Sequence, residues 1–454
     1  MKILSNTDTI CAQATPPGPG GLGVVRISGP DAFDILVKVW RSKTGDRTAK
    51  PRQLYLGEAI TSNREVIDKV MAVRMPAPHT YTGQNVVELS CHGSPIILSK
   101  IVDACVAAGA RIARPGEFTR RAFLSGKMDL AQAEAVCDLI SATSERGARL
   151  ATEQLEGKLS KEIRDIASNL VELRSLVEAW IDFPEEEIDL PAGSLEDSIA
   201  NIAKRLEALA STYKTGKLIR DGVRVAIVGR PNVGKSSILN CLTGHDRALV
   251  HHAPGTTRDV IEESASFEGV VFRFRDTAGI RHTPTEVEAM GIDRACDEIK
   301  NADLALVVFD GSIPFGAEDK AVLKQVGSKL AILAINKHDL PQQLDASTIN
   351  NPIHISAKTG DGVDALLKHL TAHALNNASC ISEGATVASA RHKEALTRAE
   401  DALRKAQQAH SKEEPLECIA QHLRIAQDSL GTITGEVATE DLLDQIFSRF
   451  CIGK

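Results

Sequence analysis

The run Gly229-Arg-Pro-Asn-Val-Gly234-Lys235-Ser236 constrains the fold of this chain more than any other stretch. It has the form GxxxxGK[ST] and follows an apolar stretch, Arg224–Val228, that reads as a buried strand. Such a motif works in one context: a strand end, a glycine-permissive turn, then a helix whose N-terminus faces phosphates. The glycines let backbone N–H groups curl around a β-phosphate where a Cβ would clash. Lys235 can span the β- and γ-phosphates, and Ser236 can offer its hydroxyl to Mg²⁺. Asn232, Val233, Gly234, Lys235, Ser236 and Ser237 are therefore the candidate phosphate loop of a compact α/β unit.

A second constellation concerns the base. Asn336-Lys337-His338-Asp339 follows another apolar strand, Leu330–Ile335. A carboxylate at Asp339 can accept from both guanine N1–H and the 2-amino group; adenine lacks that donor pair and would leave the charge unpaired. Ser356-Ala357-Lys358, after a third short strand, reads as the loop closing over guanine O6. Asp276-Thr277-Ala278-Gly279 ends a strand over Val270–Arg275; there Asp276 would hold Mg²⁺ through water and the Gly279 amide would sense the γ-phosphate. The motifs in this order read as a GTPase.

Composition is ordinary for a globular protein, with 43% hydrophobic and 25% charged residues in 454, long enough for about three domains. The net charge of −7 argues against a broad basic RNA-binding face. The cysteines, nine in number and never arranged as CxxC, fit a reducing compartment and exclude common zinc ribbons. The start is too polar for a signal peptide, and no apolar run is long enough to cross a bilayer, so the expectation is a cytoplasmic protein with no membrane partner.

Residues 1–120 read as β-rich, with strands over Gly23–Ser28 and Asn85–Ser90; Pro16–Gly23 reads as a turn, since its prolines remove the N–H donors a phosphate loop needs. From Leu155 through Leu159, Ile163, Ile166, Leu170, Leu173, Val177 and Trp180, apolar residues recur at helical spacing and predict one long amphipathic helix. It stops at the acidic cluster Asp182–Asp189, read as a solvated loop. Helical character resumes over Ala388–Phe450. The expected architecture is a Ras-like P-loop G domain over 216–377, inserted into a helical domain split between 121–215 and 378–454, after an N-terminal α+β domain over 1–120.

Many GTPases place Gln directly after DxxG to orient the attacking water, but here that position is Ile280. Charge must come from elsewhere. Asn232 and the loop Pro254–Asp259 can hold a monovalent cation between the phosphates; equally, Asn232 can be a turn residue.

Gly229–Ser237, Ala253-Pro-Gly-Thr-Thr-Arg-Asp259, Asp276–Gly279, the run Phe118–Leu130 and the ending Phe450-Cys-Ile-Gly-Lys454 together resemble the MnmE (TrmE) family of bacterial tRNA-modification GTPases over the whole chain. The resemblance implies an N-terminal tetrahydrofolate-binding and dimerising domain, and a homodimer whose G domains meet when K⁺ is bound. Asn232 and Thr256, with carbonyls near His251 and Ala253, match the K⁺ ligands; Ser236 and Thr257 match the Mg²⁺ ligands. Glu288 aligns with the carboxylate that positions water, and Arg281 with an arginine that orders the switch region. Arg26, Glu88, Lys127 and Lys454 match the positions for a tetrahydrofolate, in its 5,10-methylene or 5-formyl form. The family acts with the flavoprotein MnmG (GidA), in a heterotetrameric complex, on C5 of the tRNA wobble uridine. Cys451 reads either as a catalytic thiol or as a packing residue, with no adjoining base evident. His251-His252 departs from the small polar residues more usual there.

A reading from another class is a ribosome-assembly or regulatory GTPase switch related to Era or Der. A single GxxxxGKS, a helical chain after 377 without a KH-like GXXG loop, and the CIGK ending weigh against it.

Overall fold

The computed structural model describes residues 8–42, 50–183, 194–245, 263–276, 299–375 and 384–454. The chain forms two compact units, Met1–Cys137 with Gly431–Lys454, and Asp138–Leu430.

The first unit is built on a seven-stranded sheet of β1 (Ile10–Gln13), β2 (Gly20–Ser28), β3 (Trp40–Ser42), β4 (Tyr55–Ile60), β5 (Val66–Met75), β6 (Val86–Gly93) and β7 (Arg111–Ile112), in the order β3-β4-β5-β6-β2-β1-β7. The glycines at the end of the expected turn, Gly20–Gly23, open β2, with a register irregularity against β6. Alternation sets the two faces. Val25, Ile27, Val87 and Leu89 are buried against the helices Ala32–Val39 and Pro95–Ala107, whose Ile35, Leu36, Leu98 and Ile101 complete the core. Arg26 and Glu88 are register partners between β2 and β6, on the other face. The C-terminal helix Glu440–Phe447, capped by the Thr439 side chain, packs Leu443, Ile446 and Phe447 with Phe450 against Leu130 and Ala133.

The second unit holds a six-stranded sheet of β8 (Val223–Val228), β9 (Glu263–Phe267), β10 (Val270–Asp276), β11 (Leu304–Asp310), β12 (Ala331–Asn336) and β13 (Ile353–His354), in the order β13-β12-β11-β8-β10-β9. Only the β9–β10 pairing is antiparallel. All seven residues of β11 are buried, as a parallel strand covered on both faces requires. One face is covered by Ile238, Leu239 and Leu242 with Leu366 and Leu370; the other by Ile299, Val326, Leu344 and Ile349.

Around this sheet's segment the chain is helical on both sides in sequence: Glu145–Leu155, Lys158–Asp182, Leu195–Ser211 and Tyr213–Asp221 before it, Ala390–Ser411 and Leu416–Thr434 after it. The helices Leu195–Ser211 and Ala390–Ser411 pack together. Val387 N–H donates to Thr212 Oγ1 at 3.0 Å, and the Gln154 amide donates to the Thr386 carbonyl at 3.0 Å, both across more than a hundred intervening residues. The P-loop domain is thus an insertion in a split helical domain. The single helix expected from Leu155 to Trp180 is instead two: Gly157, at φ +87°, breaks it, and Leu155 ends the preceding helix. The rest of the stripe, Leu159 through Val177, forms the buried face of the second helix, while Leu155 at the end of the first is only partly buried.

Candidate nucleotide-binding site

The C-terminal ends of β8, β11 and β12 lie side by side, which is where ligands meet open parallel sheets. β8 stops at Val228, and the chain turns through Asn232 at φ +65° and Gly234 at φ +95° before the helix Lys235–His245 begins. Close approach explains the glycines. A Cβ on Gly229 would sit 2.5 Å from the Val308 carbonyl oxygen, and one on Gly234 would collide with the Asn336 amide. The buried Ile238, Leu239 and Leu242 fix the helix, and with it the ring of N–H groups at its start. The Lys235 ammonium donates to the Gly229 carbonyl at 2.7 Å and the Arg230 carbonyl at 2.9 Å, lying over the loop it closes. Ser236 and Ser237 are exposed at the helix start.

The base-reading motifs converge on this loop. Asn336, 2% exposed at the end of β12, donates from Nδ2 to the Val233 carbonyl at 2.8 Å and accepts at Oδ1 from Ala357 N–H at 3.0 Å. Asp339 is exposed; its Oδ1 accepts from Ser356 Oγ at 2.7 Å. That hydrogen bond holds its carboxyl below the ordinary range, with help from its own backbone and from Lys358 and His338 nearby. Ser356 is itself buried and also accepts from Thr359 N–H at 3.2 Å. Lys337, at φ +64°, places its ammonium 2.6 Å from Asp310 Oδ2. Lys358 is exposed beside Ala357. The result is a cradle of backbone donors next to an exposed, ionised carboxylate. This pairs a phosphate-binding element with a guanine-type acceptor.

Asp276 closes β10 beside Ile227 of β8. Thr277, Ala278, Gly279, Arg281, Glu288, His251, Ala253, Thr256 and Thr257 lie outside the described residues. The motif reading passed over Asp310 and Ser312. The available signal was an acid closing the all-apolar run Leu304–Phe309, at the sheet edge where ligands bind.

The other candidate set lies in the first unit. Arg26 Nε donates to Glu88 Oε1 at 2.8 Å, and Arg26 Nη1 donates to the Gly453 carbonyl at 3.3 Å. Its guanidinium lies 5.6 Å from the Tyr81 ring centre and 5.7 Å from that of Phe118. The C-terminal residues are pinned beside it: Phe118 N–H donates to the Lys454 carbonyl at 3.2 Å, and Gly116 N–H to that of Cys451 at 3.4 Å. Lys127 is exposed beside Gly83, and Lys454 is half-buried. Among the described residues, neither side chain is bonded to Arg26 or Glu88. The Cys451 thiol is exposed.

A family model described as the MnmE helical domain matches residues 130–451, and one for the GTP-binding protein TrmE N-terminus matches residues 9–127. The chain belongs to the MnmE family. It is 42% identical over 456 residues to the tRNA modification GTPase MnmE of Nitrosomonas europaea, covering 99% of this chain and 100% of that protein. It is 44% identical to the protein of the same name from Chloroflexus aurantiacus, covering 98% and 100%. The solved structure of Era with MgGDPNP and a 16S ribosomal RNA fragment is 26% identical over 40% of this chain and 66% of that one, with a TM-score of 0.26, too slight a likeness to bear on function. No helix among the described residues is long and apolar enough to cross a membrane.

Proposed function

We propose that this chain is a GTP hydrolase of tRNA modification, acting with MnmG at C5 of the wobble uridine to install aminomethyl or carboxymethylaminomethyl groups. The observation that carries the nucleotide half is Asn336, whose one side chain joins the phosphate loop to the loop that would close over the base. The tRNA half rests on full-length relatives of about 40% identity that bear that name.

The residues present fit the groups this function needs. The left-handed turn at Gly234, φ +95°, leads directly into the helix starting at Lys235, whose free N–H groups suit phosphate oxygens. Ser236 with Thr257 would hold Mg²⁺, which neutralises charge on the transferred phosphoryl group when bound. Asn232 and Thr256, with the carbonyls of His251 and Ala253, would hold K⁺; the left-handed turn at Asn232 is compatible with this role. Glu288 would orient the attacking water and Arg281 order the switch region. In the first unit, the Arg26–Glu88 pair beside Tyr81 offers a cation, an acceptor and an aromatic face. Together with Lys127 and Lys454 these suit a tetrahydrofolate, the one-carbon donor when bound. Cys451, exposed and without a neighbouring base among the described residues, is given a positioning role. A homodimer in the cytoplasm, with domain bounds near 120, 215 and 377, completes the reading.

The test is GTP turnover by the purified chain in K⁺ and in Na⁺. Turnover at least tenfold faster in K⁺, with ATP untouched, supports the proposal, on the scale of a missing electrostatic element in phosphoryl transfer. Equal rates in the two salts remove the K⁺ role. Glu288→Ala should lower turnover sharply with GTP affinity nearly intact; a large loss of affinity would assign Glu288 to structure instead.

A further inference from the structure

Asp310 closes β11, opposite Asn336 in the register with β12, and is 3% exposed. Each of its oxygens is engaged. Oδ1 accepts from Ser312 Oγ at 2.6 Å and Ser312 N–H at 3.0 Å; Oδ2 accepts from the Lys337 ammonium at 2.6 Å. A carboxylate this buried and this fully engaged is poorly placed to read a ligand itself. It can, however, fix something that does. Lys337 lies between Asn336, which bonds the phosphate loop and the loop at Ala357, and the exposed carboxylate of Asp339. Its left-handed backbone is an unusual conformation for a lysine and is held by the loop around it. Leu340 N–H and the Gln342 amide both donate to its carbonyl at 3.0 Å, and Gly311 N–H donates to the Asn336 carbonyl at 2.9 Å. Backbone and ammonium are thus tied at both ends, leaving the four-carbon stem little freedom.

We propose that Asp310 is a positioning residue for guanine-nucleotide binding, acting through Lys337 of the base-reading motif, which it holds in one place before the nucleotide arrives. This rests on the guanine-nucleotide reading above. An untethered lysine would have to be ordered by the ligand, and that lost rotamer freedom would come out of the affinity. Ser312 supports the tether from the other oxygen. Burial opposes the Asp310 charge, yet the Lys337 ammonium and the Ser312 donors hold its carboxyl below the ordinary range, so the tether persists at neutral pH.

The test is a double-mutant cycle on the full chain, read by fluorescence titration with N-methylanthraniloyl-GDP. Asp310→Ala should raise Kd about tenfold, the scale of one charge-assisted hydrogen bond. Lys337→Met should raise it by a similar or larger factor. The double variant should be no weaker than Lys337→Met alone, because Asp310 has nothing further to act through. Ser312→Ala should give a smaller shift in the same direction, one that vanishes in the Lys337→Met background; this arm stands even where Asp310→Ala fails to fold. Asp310→Asn, which keeps an acceptor for the ammonium, should recover part of the loss. An unchanged Kd in both Asp310→Ala and Ser312→Ala, or losses that multiply in the double variants, would overturn the positioning role. An unsubstituted chain with no affinity for the probe would overturn the guanine-nucleotide reading itself.

Discussion

The Asn336 side-chain amide lies 2.8 Å from the Val233 carbonyl, inside the phosphate loop. The same side chain accepts from Ala357 N–H, so a residue at the end of β12 spans two loops separated by more than a hundred positions. The phosphate loop and the loop proposed to close over the base are therefore tied through one buried side chain.

Asn336→Ala should uncouple them. It leaves the Val233 carbonyl and Ala357 N–H without their partner at a buried site, at a cost of about 1–3 kcal/mol. Guanine-nucleotide affinity should fall about tenfold, with a lower melting temperature. Calorimetric titration with GDP, beside a thermal melt, checks both; an unaltered affinity would mean the loops hold their geometry independently.

Asp339→Asn should exchange base preference. On the proposed reading the carboxylate would accept from guanine N1–H and its 2-amino group, whereas the amide would place a donor where xanthine carries a carbonyl. Preference for GTP over XTP should invert, by about a hundredfold or more in the ratio, on the scale of mispaired buried polar groups in a binding site. Competition between the two nucleotides measures it, and a variant still preferring GTP would move base recognition away from Asp339.

The local order of this unit was legible because it rests on near-neighbour pattern. The apolar runs before Gly229, Asn336 and Ser356 became β8, β12 and β13 within a residue or two, and the glycine spacing located the turn. The break at Gly157 was hidden because an apolar stripe at helical spacing continues on its far side, although the glycine itself was visible. What the sequence left out is pairing at a distance: Asp310 with Lys337, Asn336 with Val233, and Arg120 with Glu440 and Asp444 in the first unit. Each depends on which chain ends the sheets bring together, and no local period records that. Arg26 and Glu88 are a middle case, since each strand was legible but their register was not.

Asn232 can be tested without disturbing its backbone. Its φ of +65° suits glycine, so Asn232→Gly removes the side chain and keeps the turn, whereas Asn232→Ala adds strain as well. Both should abolish most of the K⁺-over-Na⁺ preference in turnover, with Asn232→Ala the less stable of the two. Loss in Asn232→Ala alone would make the residue a turn former only.

The first unit carries an acid-sensitive network. Glu117 accepts from Arg111 at 2.6 and 3.0 Å, from Arg121 at 3.0 Å and from Arg114 N–H at 2.8 Å. Burial opposes its charge, but these partners, Arg111 foremost, hold its carboxyl below the ordinary 4.5. Asp8, also opposed by burial and bonded to Arg111 and Arg121, lies below 3.8. A depressed carboxyl stabilises the fold above its unfolded value and loses that contribution as pH falls through its folded value. Stability from this pair should thus be full above about pH 5 and decline below pH 4.5. Glu117→Gln should flatten that acid limb in urea unfolding between pH 3 and 7. Glu117→Ala should cost about 3 kcal/mol at pH 7, since buried Arg121 then keeps only Asp8 as a carboxylate partner among the described residues and Arg111 loses its bidentate partner. An acid limb unchanged in Glu117→Gln would place the sensitivity elsewhere.

The most direct measurement is nucleoside mass analysis of bulk tRNA from cells lacking this gene, complemented with the native gene or an Asp339→Asn copy. The C5-aminomethyl wobble uridines should disappear with the gene, return with the native copy, and stay absent with Asp339→Asn. Uridines unchanged by the deletion would contradict a role in tRNA modification and point to a GTPase of another kind, such as one serving ribosome assembly.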